Sequence, residues 1–265
     1  MQVIVCNGYE DLSLRVAADL IECMGSRKHL LLCAASGDSP SGLYRNLVAR
    51  VGQKDLDTSG WAFLGLDEWV GLNGSDEGSC RYHLDRELFS PLHVPQEKLF
   101  FFDGRKEDLD SECRQAESFI TRQGGIDATI LGLGHNGHVG MNEPGTSVSS
   151  RSHVTALDPI TAQTGQKYFK ETQRLSEGIT LGLGTILDSR NIFLLVSGAK
   201  KASIVKTVLE GEISENVPAT TLRRHPGLRI YLDTEAAALL NSRWSAATSI
   251  IDLTAAIGVT RTNHP

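Results

Sequence analysis

Short apolar runs alternate with longer segments of helical periodicity along almost the whole chain. This alternation restricts the fold more than any other property of the sequence. The runs at 3–6, 30–34, 62–66, 99–102, 128–133, 179–183, 192–196 and 229–232 read as buried strands. Between them, segments 11–24, 41–51, 79–88, 109–123 and 200–209 space their apolar residues as helices do. A helix between two strands returns the chain to the same end of a sheet, so the strands run parallel and the helices cover its faces. The predicted fold is therefore α/β: a doubly wound, mostly parallel sheet with helices on both faces, in a single domain over residues 1–265. Residues 236–265 are expected to hold one C-terminal helix and a loose end at 260–265.

Composition narrows the class of partner. The net charge is −6 and no basic run is present to neutralise phosphates, which argues against nucleic acid. The five cysteines are odd in number and contain no C-x-x-C, so neither a disulfide framework nor a zinc site is expected. No apolar run approaches membrane-spanning length and the N-terminus lacks a basic-flanked leader, so no membrane association and a cytoplasmic location are expected.

The richest local pattern follows the run at 128–131. It reads Leu131-Gly132-Leu133-Gly134-His135-Asn136-Gly137-His138-Val139-Gly140-Met141-Asn142-Glu143-Pro144-Gly145. Glycines let a backbone wrap closely around a ligand. His138 can exchange a proton near neutral pH, and Glu143 can accept or relay one. A glycine-rich turn with incidental polar residues accounts for Gly132 and Gly134. It accounts less well for His138 and Glu143 sharing one short loop with Asn136 and Asn142. The spacing is not G-x-G-x-x-G opening a helix, and Pro144 stops a helix there, which argues against a dinucleotide fingerprint.

Three more polar clusters fall at expected strand ends, where open α/β sheets hold their ligands. Ser36, Gly37, Asp38 and Ser39 follow the run at 30–34 and open a helix, an arrangement that binds anions through free N–H groups. Asp38 is an awkward neighbour for a phosphate and should point away or take a sugar hydroxyl. Asp67 and Glu68 follow the run at 62–66; either is a candidate general base, and either could simply cap a helix. Lys201 starts a helix after 192–196, where a lysine can reach a phosphate as a point charge, although a Lys-Lys pair alone is commonly surface.

In this order the four segments resemble the glucosamine-6-phosphate deaminase/isomerase family, from about residue 3 to about residue 233. The Gly-His-Glu loop and Leu66-Asp67-Glu68-Trp69 are the specific parts. Gly182-Leu183-Gly184-Thr185-Ile186-Leu187-Asp188 and residues 222–226 look like two further family blocks. The resemblance implies Asp67 as the base that carries a proton between C2 and C1 of the open-chain sugar. It implies His138 as the ring-opening acid/base, Glu143 as its carboxylate partner, and Asn136 at a relay position where some members have aspartate. Ser36, Gly37, Asp38 and Ser39 match the phosphate loop and Lys201 the phosphate lysine. Lys167 matches a lid position where arginine is common. His153 and Thr155 fall where regulated members carry basic residues, so no activator site is implied.

The implied reaction turns glucosamine-6-phosphate, a small-molecule amino sugar phosphate, into fructose-6-phosphate and ammonia by proton transfers, with no metal or cofactor. A homo-oligomer is compatible with it. Three rivals stand beside this reading. Galactosamine-6-phosphate, giving tagatose-6-phosphate, differs by the direction of one hydroxyl, and Asp38 in place of a more usual glycine keeps it open. A 6-phosphogluconolactonase shares the fold and a glycine–His loop, but lactone hydrolysis needs neither a C2 base nor a ring-opening carboxylate, so Asn142-Glu143-Pro144 favours the deaminase. A non-catalytic sugar-phosphate sensor would carry an extra DNA-binding module and would not need Asp67, His138 and Glu143 together.

Overall fold

The computed structural model describes residues 1–25, 27 and 29–245. Its strands are β1 (Gln2–Cys6), β2 (Leu30–Ala34), β3 (Trp61–Gly65), β4 (Asp67–Trp69), β5 (Leu99–Phe100), β6 (Ala128–Leu131), β7 (His153–Ala156), β8 (Glu177–Thr180), β9 (Ile192–Val196) and β10 (Leu228–Asp233). The main helices are α1 (Tyr9–Met24), α2 (Asp38–Gly52), α3 (Cys80–Leu84), α4 (Leu109–Arg122), α5 (Pro159–Gly165), α6 (Leu183–Leu187) and α7 (Ala202–Glu210). Seven strands form one parallel sheet in the order β1-β10-β9-β6-β2-β3-β5. The expected doubly wound sheet is present.

Both faces are covered because successive strand side chains point to opposite sides. Leu30, Leu32 and Ala34 of β2 join a core with Leu12, Val16 and Leu20 of α1 and Leu43 and Leu47 of α2. Leu31 and Cys33 of the same strand join the other core, with Ala116 and Phe119 of α4 and Val205 and Leu209 of α7. The α1 positions recur every four residues, which lays them on one stripe. No helix among the described residues is long and apolar enough to cross a membrane.

Strand order decides where a ligand can sit. From β2 the chain moves to β3 on one side, and the next strand of this sheet after β6 is β9, on the other. The loops leaving β2 and β6 therefore diverge and open a crevice at the carboxyl ends of the strands.

Several sequence expectations change. The run at 62–66 does not end the element: Leu66 leaves the sheet and β4 continues in a second, antiparallel sheet of order β4-β8-β7. The run expected at 179–183 contributes β8 to that small sheet rather than to the parallel one. Leu66 is the junction: its N–H donates to the Ala34 carbonyl and its own carbonyl accepts from Leu181 N. An apolar run carries no mark of which sheet it joins. The helix expected at 79–88 changes to a π-turn at Asp85–Phe89. At the C-terminus a single helical turn forms at Ser242–Ser245. The rest of the expected helix and the loose end at 260–265 lie outside the described residues.

Candidate active site

A cavity of about 310 Å³ fills the crevice. Ser36, Gly37, Asp38, Ser39, Asp67, His138 and Lys201 all line it. Thr161, Lys167 and Tyr168 come from α5 and the short turn after it, a strap that also lines the cavity. Asn136 and Glu143 do not line the cavity; they stand behind His138. His153 and Thr155 lie on β7, away from the cavity.

The adjacent acids Asp67 and Glu68 are separated by strand geometry. Consecutive β4 side chains face opposite ways. Asp67 turns to the cavity, where it is 8% exposed. Burial lifts its carboxyl to about 6, against opposing effects of the Cys80 thiol and the nearby His138. Glu68 turns away and accepts backbone N–H bonds from Trp69 at 2.8 Å, Cys80 at 2.9 Å and Arg81 at 3.0 Å. It secures the first turn of α3, which Ser79 also caps through Tyr82 N. Of the two acids left open by the sequence, only Asp67 faces the cavity.

The glycine loop holds a polar relay. His138 Nδ1 lies 3.0 Å from Thr161 Oγ1 and 3.5 Å from Glu143 Oε2. Asn136 Nδ2 donates to Glu143 Oε2 at 2.8 Å, while Asn136 Oδ1 accepts from His138 N at 3.1 Å. Burial pushes the Glu143 carboxyl up, but its bonds to His138, Thr161 and Asn136 outweigh this and hold it below the usual range. Gly134 is required by packing: a Cβ there would lie 2.4 Å from the His138 ring. Asn142 turns inward and donates to the Val139 and Leu181 carbonyls, which pins the loop to the small sheet.

Two lysines, Lys167 and Lys201, also line the cavity. Lys201 donates to the Leu133 carbonyl. Burial, and then repulsion from Lys167, bring its ammonium down to about 8. The turn before it is fixed by acids, since Gly198 N donates to Asp233 and Ala199 N to Glu235. Those two amides are engaged, and Ser197 and Lys201 of this turn line the cavity. The loop after β2 offers the start of α2, whose N-cap Gly37 has φ 104° and no side-chain cap. Asp38 is exposed and pairs with Lys167 at 2.5 Å.

Thr161 and Tyr168 were not singled out from the sequence. Asp158-Pro159 is a helix-start signal, an N-cap followed by proline at N1, and it does open α5. Nothing local says that the third residue of that helix meets a histidine 23 positions earlier.

Residues 8–230 match the family described as glucosamine-6-phosphate isomerases/6-phosphogluconolactonase. A glucosamine-6-phosphate deaminase of Bacillus velezensis is 37% identical over 238 residues, covering 89% of this chain and 99% of the relative. Glucosamine-6-phosphate deaminase 1 of Bacillus subtilis is 37% identical over 243 residues, covering 90% and 99%. A solved structure of a monomeric glucosamine-6-phosphate deaminase has a TM-score of 0.87 at 36% identity, covering 90% of this chain and 100% of its own. A 6-phosphogluconolactonase from Trypanosoma brucei shares the fold at 21% identity and a TM-score of 0.70.

Proposed function

Since the chain belongs to the glucosamine-6-phosphate isomerase/6-phosphogluconolactonase family, we propose that it is an isomerising deaminase converting glucosamine-6-phosphate to fructose-6-phosphate and ammonia. One observation carries the choice within the family. A buried carboxylate, Asp67, shares one cavity with the His138 relay. Lactone hydrolysis needs no such second base, whereas moving a proton from C2 to C1 does.

In this reading the loop at 36–39, Lys201 and Lys167 hold the phosphate and so orient the sugar carbons. Thr161 and Glu143 engage His138 Nδ1, which leaves Nε2 for the sugar. His138 takes the O1 proton and delivers it to the ring oxygen, and the ring opens. Asp67 then removes the C2 proton while O1 takes a proton from the substrate ammonium, giving an enolamine, and Asp67 returns its proton to C1. C2 becomes an iminium, which adds water and releases ammonia. The chemistry proceeds in the cytoplasm, a placement supported by five free thiols.

Glu143→Gln is expected to slow reaction of the cyclic sugar more than reaction of its open-chain form, because a pre-opened substrate bypasses His138. Rapid-mixing rates on the two forms check this, and equal losses would assign Glu143 to a later step. The function itself is tested by ammonia release from glucosamine-6-phosphate and galactosamine-6-phosphate, beside hydrolysis of 6-phosphogluconolactone. Ammonia from the gluco substrate above the galacto substrate is the expected result. Lactone turnover without ammonia release would overturn the reading.

A further inference from the structure

Lys167 is held by a carboxylate that an incoming phosphate would have to displace. The pair at 2.5 Å joins the strap to the first residue of α2, across 129 positions of sequence. Tyr168 seats the strap on the same loop: a Cβ on Gly37 would lie 2.9 Å from its hydroxyl. The Lys167 ammonium stands 4.7 Å from the centre of the Tyr168 ring. Burial would lower the Lys167 ammonium, but Asp38 and Tyr168 outweigh it and the net direction is upward. Asp38 and Lys167 side chains are 72% and 47% exposed, and a pair this open to water is weak enough to exchange.

We propose that Asp38 is a built-in anion that pairs with Lys167 and competes with the substrate phosphate for it. The proposal rests on the phosphate placement above. A phosphate seated on the 36–39 amides would put its charge beside the Asp38 carboxylate. Like charges repel, so Asp38 turns out to solvent as Lys167 turns to the phosphate. The pair ties the strap to the loop, and binding exchanges one anion for another. The cost of that exchange weakens phosphate affinity and eases release of the phosphorylated product.

The test is competitive inhibition by inorganic phosphate, with trypsin digestion as a second readout. Asp38→Asn removes the competing charge at nearly constant size. Phosphate should then bind about 1.4- to fivefold more tightly, the range that an exposed ion pair spans. Without phosphate, trypsin should cut at Lys167 faster in Asp38→Asn than in the wild type, and at saturating phosphate the two should be cut alike. A merely structural Asp38 would lose affinity on substitution, so unchanged or weaker inhibition overturns the proposal. Equal cutting without phosphate overturns it too. Lys201→Ala is run in parallel: if phosphate inhibits it as well as it inhibits the wild type, the phosphate placement itself has failed, whatever Asp38→Asn shows.

Discussion

Asp67→Asn should still bind sugar phosphate but turn it over about 10²–10⁴-fold more slowly, since an amide cannot accept the C2 proton. The same substitution should stabilise the fold. Burial raises the Asp67 carboxyl from 3.8 to about 6, so folding favours its protonated form. That contribution is complete below the unfolded value and is lost as pH rises through about 6. At pH 8 the ionised, buried group therefore opposes folding by on the order of 3 kcal/mol, and asparagine removes the penalty. Melting temperatures of the two proteins at pH 8 and pH 4 check the sign: the variant should lie higher at pH 8, with the gap closing toward pH 4. In the wild type, kcat/KM should fall below about pH 6 as the base is protonated. Near-normal turnover in a folded Asp67→Asn protein would remove Asp67 from the base role.

Lys201→Ala should weaken substrate binding by roughly one to two orders of magnitude, the loss expected when a charge-assisted bond of about 1.5–3 kcal/mol is removed. The chain carries a net charge of −6, so an anion is held only where local cations outweigh that field. The Lys201 ammonium is brought down to about 8 by burial and by Lys167. It is charged below that pH and neutral above it, so KM should climb as pH rises through about 8. Lys201→Arg keeps its charge and should move that limb upward while losing some affinity through altered geometry. Inhibition by inorganic phosphate in wild type and Lys201→Ala checks the placement, and equal inhibition would show that Lys201 does not contact the phosphate.

The parallel α/β fold was legible because strand and helix periodicities are imposed by local backbone geometry and are written in the spacing of apolar residues. The polar clusters at 36–39, 67–68, 132–145 and 201 were legible for a related reason: each sits where a strand ends, and parallel strands bring such ends to one edge. Periodicity does not encode strand order. Only the tertiary structure moved residues 177–180 out of the parallel sheet and into a small antiparallel one. Only the pleat of β4 turned Asp67 to the cavity while Glu68 went to the α3 backbone. Thr161 against His138, and Asp38 against Lys167, are contacts between residues 23 and 129 positions apart. Such pairs are chosen by how the strap packs over the sheet edge, a consequence of chain topology that no local pattern of residues contains.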